Sequence, residues 1–175
     1  MTDHTASGAS APVGYMERTR TYYAAQGYPK PYQWAHYDAV PFHRPTVPLN
    51  RARLMLVTTA SPLREQAAGS ATAAADTLLQ KKSLAFGAVA EPPQALYTDD
   101  LSWDKETTHT RDLASYFPLA ELTRRVASGS LGSLTASYAC VPTEYSQRQT
   151  IEADAPAVRD RAIDEGADIA LLVPL

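Results

Sequence analysis

The sequence predicts an α/β fold: a three-layer, Rossmann-like domain with a mostly parallel sheet, preceded by an irregular N-terminal arm rich in proline and aromatic residues. Two short apolar runs, Arg53–Ala60 and Ala167–Leu175, are typical of strands buried on both faces, as the strands of parallel sheets are. The second half of the chain alternates between helical and strand patterns, which is the order expected when helices cross between parallel strands. Together these patterns predict the fold class.

The composition fits one globular domain and limits its partners. A chain of 175 residues with 45% apolar and 20% charged residues can bury a core. The formal net charge of −3 provides no basic surface, so neither nucleic acid nor a membrane is expected as a partner. The polar N-terminus lacks a signal-peptide core and no apolar run reaches the length of a membrane span, so we expect a cytoplasmic protein. A single cysteine, Cys140, excludes an internal disulfide and a cysteine-clustered zinc site, and no metal site is expected.

The N-terminal third is divided into two segments before the domain begins. Residues 1–14 are small and polar and are predicted to be disordered. Residues 15–52 form the irregular arm, in which a short helix from Tyr15 to Gln26 ends at Gly27. The proline-broken stretch that follows is interpreted as an arm packed over the domain, in preference to a ligand site built from its aromatic residues. Residues 53–175 form the α/β domain.

The first strand, Arg53–Ala60, ends in small polar residues. Thr58, Thr59 and Ser61 offer hydroxyls and backbone amides at a strand terminus, where an anion or a reacting group could be bound; ordinary turn capping explains them equally well. Residues 69–82 are expected to form a helix or an ordered surface insert. Residues 85–104 are expected to form a loop with one strand near 95–97.

A histidine, an arginine and an aspartate then occur within four positions, as His109, Arg111 and Asp112. Such a group can supply a proton carrier, an anion-binding cation and an orienting carboxylate. The alternative is a solvated turn with a surface ion pair, and spacing alone favours that alternative.

The remaining elements follow in a regular order. A helix over Leu119–Ala127 places Leu119, Leu122 and Val126 on one face and ends at Gly129. A strand over Leu134–Val141 comes next. A helix capped by Asp154 and closed by Gly166 then leads to the terminal strand, and its inward positions are predicted to be Ala155, Val158, Ala162 and Ile163.

The carboxyl edge of this predicted sheet is where an active site is expected. Three segments should meet there: Thr58–Ser61, Cys140–Tyr145 and the residues that follow Leu175. The middle segment adds Thr143, Glu144 and Tyr145 as candidate substrate contacts and Cys140 as a candidate redox thiol, although a lone cysteine on a core strand is more often a small buried apolar residue. No glycine-rich phosphate loop is present, which disfavours a nucleotide-binding module.

Taken in order, several stretches resemble the selenoprotein B family of glycine, sarcosine, betaine and D-proline reductases, and most of all its proline-reductase-like branch. The resemblance covers most of the chain after Arg53 and is carried by Leu54–Ala60, His109–Asp112, Tyr116–Leu122, Gly129–Gly132 and Glu165–Leu175. The order and spacing of these motifs are more specific than any one of them alone.

The resemblance implies reductive cleavage of a C–N bond in a small amine or amino acid. It implies a selenocysteine or cysteine directly after the strand Ala170–Leu175, so the domain is expected to be incomplete after Leu175, where a selenocysteine codon would be read as a stop. It implies no cofactor on this chain, a pyruvoyl group on a partner subunit, and other reductase subunits or further copies of the chain as partners. His109 and Asp112 would handle protons, and Arg111 would bind a substrate carboxylate.

Two other functions remain open at this point. The chain could be a non-catalytic α/β binding or assembly domain that keeps the fold and docks a partner. It could also be an unrelated racemase-like enzyme that uses Cys140 as its nucleophile.

Overall fold

The structure, a computed structural model, describes residues 14–28, 30, 33, 35–62, 83–97, 109–141 and 146–175. The chain divides into two units, 1–41 and 42–175. The first unit contains helix α1 (Tyr15–Ala25), which ends just before Gly27, as predicted. Residues 1–13 of the segment predicted to be disordered (1–14), and the predicted helix or insert over 69–82, lie outside the described residues.

The second unit is built on a five-stranded sheet whose central strand is β1 (Arg53–Thr58). Along one side β1 pairs in parallel with β5 (Ser133–Leu134) and β6 (Ser137–Cys140), and along the other side with β7 (Ile169–Val173). Strand β3 (Ala85–Ala88) pairs antiparallel with the outer side of β6. The predicted α/β fold with a mostly parallel sheet is confirmed.

A separate two-stranded ladder joins β2 (Ser61–Pro62) to β4 (Leu96–Tyr97). Strand β4 falls where one strand was predicted. The prediction of a loop over the rest of residues 85–104 is wrong at its start, where β3 forms instead. The predicted strand Leu134–Val141 is broken into β5 and β6 around Thr135. The Thr135 hydroxyl donates hydrogen bonds to the carbonyl oxygens of Leu54 and Ser137.

Helices cover both faces of the sheet. Helix α2 (Leu119–Ala127) has the predicted bounds and buries Leu119 and Leu122 in a cluster with Leu54 and Leu56 of β1. A second helical segment follows β6 and consists of α3 (Gln147–Gln149), a π-helical turn (Thr150–Asp154) and α4 (Ala155–Asp164). Val158 and Ala162 of α4 pack on the opposite face of β1, against Met55 and Val57.

The predicted helix corresponds to α4, which begins at Ala155 with Asp154 at the N-cap position, but the Asp154 side chain makes no capping hydrogen bond because the chain is already helical before it. The helical segment begins at Gln147, and its N-cap is Ser146, whose Oγ accepts a hydrogen bond from Gln149 N at 3.2 Å. Asp154 is instead buried in the π-helical turn, where its Oδ1 accepts a hydrogen bond from Gln149 Nε2 at 3.3 Å. Two of the four predicted inward residues, Ala155 and Ile163, are exposed.

The expectation that the terminal strand is buried on both faces is also wrong. Strand β7 pairs only with β1 among the described strands and therefore lies at the edge of the sheet. Ile169 and Val173 pack against the core on the α2 side, but Leu171 and Leu172 are 37% and 69% exposed. An apolar sequence alone does not distinguish a central parallel strand from an edge strand.

A polar network joins the amino ends of these strands. Arg53 and Asp168 exchange hydrogen bonds: Arg53 N donates to Asp168 Oδ2 at 2.7 Å, and Asp168 N donates to Arg53 O at 2.9 Å. Arg53 Nη1 donates to Glu165 O at 2.9 Å, and the Glu165 carboxylate accepts hydrogen bonds from the backbone N and the hydroxyl of Ser137. Gly166, at φ +69°, makes the turn from α4 into this network. These contacts set the register of β7.

Residues 48–52, assigned from the sequence to the arm, contact the sheet unit directly. Leu49 O accepts a hydrogen bond from Gly132 N at 3.0 Å, and a Cβ at Gly132 would lie 2.3 Å from the carbonyl carbon of Arg51. Only glycine fits this close approach. Within the described part of the chain, no helix combines the length and the apolar character needed to cross a membrane.

Candidate active site at the carboxyl edge of the sheet

Three parallel strands end side by side, as the sequence predicted. Thr58, the last residue of β1, is in register with Cys140 at the end of β6 and with Val173 at the end of β7. Val141 N donates a hydrogen bond to Thr58 O at 2.8 Å, which continues the β1–β6 pairing past Cys140. The structure therefore brings the β1, β6 and β7 termini together at one edge.

The two threonines at the end of β1 have different roles. Thr58 is fully buried; its Oγ1 donates a hydrogen bond to Tyr116 O at 2.8 Å and accepts one from Ala60 N at 3.2 Å. Thr59 is half-buried, and its Oγ1 accepts a hydrogen bond from Leu175 N at 2.8 Å. Thr58 therefore fixes the turn after β1, while Thr59 fixes the backbone that leaves β7.

The other predicted contacts at this edge are only partly described. Ser61 begins β2 and pairs with Tyr97 of β4, so its backbone is committed to a ladder and its side chain is half-buried. Thr143, Glu144 and Tyr145 lie outside the described residues.

Cys140 lies in the core beneath the edge. It is 2% exposed and belongs to the same apolar cluster as Leu56 and Tyr138. Burial raises the pKa of its thiol to about 12. At neutral pH the group is therefore a protonated thiol, and a nucleophilic or redox role requires the thiolate.

The His109–Asp112 segment is exposed at its three candidate side chains. Asp112 accepts a hydrogen bond from Ala114 N at 3.0 Å through Oδ1 and thereby caps a short 3₁₀ turn, Leu113–Ser115. Neither the His109 ring nor the Arg111 guanidinium makes a hydrogen bond or ion pair with a described residue. The structure thus gives Asp112 a structural contact and leaves His109 and Arg111 facing solvent.

The link between this segment and the carboxyl edge is Tyr116, which sequence reasoning did not select as a site residue. Tyr116 is buried and uses its carbonyl to bind the Thr58 hydroxyl, while its own hydroxyl donates to Thr110 O at 3.3 Å. Burial, and then the nearby Asp112 carboxylate, raise the pKa of the Tyr116 phenol. The sequence signal that could have identified Tyr116 is its position between a polar segment and an amphipathic helix.

A buried aromatic pair belongs to the same core cluster as Tyr116. Phe117 and Tyr138 meet edge to face with their ring centroids 4.7 Å apart. The Tyr138 ring lies over Gly87 of β3, where an added Cβ would be 2.2 Å from Cζ and Oη. Burial, followed by the proximity of Cys140, raises the pKa of the Tyr138 phenol. Because strand β3 was not predicted, the contact between Tyr138 and Gly87 could not be predicted.

The described edge thus offers hydroxyls, backbone amides and a buried thiol. Among the described residues, no group of three or more His, Cys, Asp and Glu side chains is arranged to bind a metal ion. No family model, curated protein or solved structure matches the chain significantly.

Proposed function

We propose that this chain is a subunit or N-terminal part of a selenol- or thiol-dependent reductase of the glycine, betaine, sarcosine or D-proline reductase type. On this proposal the domain is a three-layer, Rossmann-like cytoplasmic unit with a proline- and aromatic-rich arm, and the redox residue comes directly after Leu175. The substrate is a small amine or amino acid.

The observation that carries the proposal is the position of Leu175. Its N–H donates to Thr59 Oγ1 at 2.8 Å, and its side chain packs against the core cluster that includes Cys140 and Tyr116. A residue following Leu175 would therefore start from the carboxyl edge of the sheet, where α/β proteins place reacting groups.

The proposed reaction balances in electrons. Cleavage of the C–N bond takes up two electrons and two protons, and a selenol and a neighbouring thiol supply them by forming a selenium–sulfur bond. A low-molecular-weight or protein dithiol must then reduce that bond. The pyruvoyl group that would hold the amine belongs, on this proposal, to a partner subunit.

On this proposal the chain's own residues would bind the substrate, handle protons and orient the redox residue. Arg111 is exposed and would bind a substrate carboxylate, while His109 and Asp112 would handle protons at the same exposed segment. Thr59 would orient the backbone before the redox residue through its bond to Leu175 N.

The decisive experiment is the mass and selenium content of the protein made from its native locus with selenium supplied. A selenium-containing product clearly larger than 19.0 kDa supports the proposal. A selenium-free product of 19.0 kDa overturns the selenol form, and a longer selenium-free product must then contain a cysteine directly after Leu175 for the thiol form to stand.

A second candidate is a non-catalytic binding or assembly domain, and the exposed apolar residues Leu171 and Leu172 on the edge strand favour it. A racemase-like enzyme using Cys140 is the least supported, because burial keeps that thiol protonated. Cys140→Ser would abolish activity only in that third case.

A further inference from the structure

Within the described residues, the outer edge of β7 is an unpaired, uncharged strand edge whose hydrogen-bonding groups can be assigned. Ala52, Leu54 and Thr58 direct their carbonyls toward the β5 and β6 side, where they accept from the backbone N of Ser133, Thr135 and Val141. The odd-numbered residues of β1 therefore direct their backbone N–H and C=O groups toward β7.

The register of β7 then fixes its own orientation. Because Leu54 is opposite Ile169 and Leu56 is opposite Leu171, the ladder bonds from Met55 and Val57 reach Ile169, Leu171 and Val173. Ala170 and Leu172 consequently direct both their N–H and their C=O groups away from β1. No described strand pairs with them, and both residues are exposed.

We propose that this edge pairs antiparallel with the β7 edge of a second copy of the chain, about a two-fold axis at Leu171. In that register Ala170 of each copy lies opposite Leu172 of the other, and the two residues exchange both hydrogen bonds. Every outward backbone group of Ala170 and Leu172 is then satisfied.

Neighbouring registers fail for reasons visible in the sequence and the contacts. Centring the axis on Leu172 places Ala170 opposite Pro174, which has no N–H to donate. Centring it on Ala170 places Leu172 opposite Asp168, whose N–H already donates to Arg53 O at 2.9 Å. Only the axis at Leu171 leaves no outward group of Ala170 or Leu172 without a partner.

The side chains fit the same arrangement. Leu172, 69% exposed, would cover the small Ala170 of the other copy, and the two Leu171 side chains would meet across the axis. Ile163, 66% exposed, lies on the flank of α4 opposite Arg161. Since the Arg161 guanidinium stacks over Phe86 of β3, Ile163 lies on the β7 side and extends the apolar strip.

As described, strand β7 also lacks three features by which proteins prevent such pairing. Strand β7 carries no charged residue and no proline, and it contains no bulge in its ladder with β1. A second copy is the partner that this edge fits by symmetry, because an isologous contact needs one surface that complements itself.

The first test is a charge exchange at the axis. We expect the unchanged chain to have twice the mass of a single copy by light scattering, whatever the length of that copy. Leu171→Asp and Leu171→Lys should each raise the dimer dissociation constant about a hundredfold, because like charges would meet across the axis. Mixing the two variants should restore a heterodimer, which also shows that both fold.

A second variant gives an independent measurement of the register. Residues facing each other at a non-hydrogen-bonded antiparallel pair have Cβ atoms about 5 Å apart, which a disulfide can bridge with small adjustments. Leu171→Cys should therefore form a disulfide-linked dimer in air, while the control Leu49→Cys, 58% exposed beside the Gly132 turn, should not. Cys140 is too buried to compete.

A monomeric unchanged chain at about 100 μM, a dimer that survives both charged variants, or equal crosslinking of the Leu171 and Leu49 cysteines would each overturn the proposal. The inference does not depend on the reductase proposal, since its measurements are masses and crosslinks of this chain alone.

Discussion

Replacing Gly87 with alanine should destabilise the sheet unit through a single contact. The new Cβ would lie 2.2 Å from Cζ and Oη of Tyr138, whereas an ordinary contact is 3.4–4 Å. Tyr138 is 4% exposed and its ring packs edge to face on Phe117 at 4.7 Å, so the ring cannot move away freely. The substitution must therefore displace the ring or the β3 backbone.

The cost can be worked out from what the ring would lose. Losing the edge-to-face contact costs about 1 kcal/mol, and partial exposure of the phenol ring costs about 1–2 kcal/mol more. Alanine recovers about 0.5–1 kcal/mol because it restricts the unfolded chain more than glycine does. The net loss is about 2 kcal/mol, which lowers Tm by roughly 4–8 °C in a chain of this size.

Thermal unfolding followed by circular dichroism measures this loss. The matched control is Gly14→Ala, where no atom lies within 4 Å of the added Cβ. The decisive comparison is the same Gly87→Ala change in a Tyr138→Leu background, which lacks the colliding atoms. The steric reasoning is refuted if Gly87→Ala costs as much in that background as in the unchanged chain.

Three further experiments test other parts of the structure. Burial opposes ionisation of Glu165, but hydrogen bonds from Ser137 and the nearby Arg161 outweigh it and lower the pKa below its ordinary 4.5. The ionised form therefore stabilises the fold above the ordinary pKa, and that contribution is lost as pH falls through the lowered one. Glu165→Gln should cost about 2 kcal/mol at pH 7 and progressively less at pH 4 and below in urea unfolding; a pH-independent cost contradicts this. Cys140 should react with a thiol reagent at pH 8 about a thousandfold more slowly in the folded than in the urea-unfolded chain, and equal rates would show that it is accessible. Thr58→Val should lose about 1–3 kcal/mol because Tyr116 O is left without its donor, whereas Thr58→Ser should keep most of that stability.

The elements with strong local signals were predictable from the sequence. Helix α2 has the predicted bounds because apolar residues recur at its helical spacing and Gly129 supplies the positive φ, +73°, at its end. Strand β1 is correct to within two residues for a similar reason, since its apolar run ends in the polar Thr58–Thr59 pair. The meeting of Thr58, Cys140 and the end of β7 followed from the parallel sheet itself.

The errors arose where tertiary contacts decide. The Asp154–Ala155–Pro156 sequence is typical of a helix start, but Ser146 caps the helix earlier and the chain passes Pro156 after a π-helical turn. A proline cannot donate to the residue four positions before it, so widening the preceding turn is one way to continue the helix. Strand β3 was missed because glycine, here Gly87, has low strand propensity. Glycine is needed at this position because a side chain would collide with the Tyr138 ring.

The residues that carry the family resemblance do not all point to chemistry. Glu165 and Asp168 belong to the amino-end network with Ser137 and Arg53, where their carboxylates satisfy backbone N–H groups. That edge is opposite the one where parallel strands present reacting groups. These two acidic residues therefore explain how β7 is held in register.

At that carboxyl edge the described groups are positioning groups. The hydroxyls of Thr58 and Thr59 are already bonded to Tyr116 O and to Leu175 N, and Cys140 is a buried, protonated thiol. A reaction here consequently needs an ionisable group other than these described ones, and the reductase proposal supplies one after Leu175. For that reason Thr59→Val, which removes the acceptor for Leu175 N, should slow a selenol- or thiol-dependent reaction while leaving the β7 dimer contact unchanged. If the variant loses reaction rate and dimerisation to the same degree, Thr59 supports the fold of β7 as a whole. If its reaction rate equals that of the unchanged chain, the carboxyl edge takes no part in the mechanism.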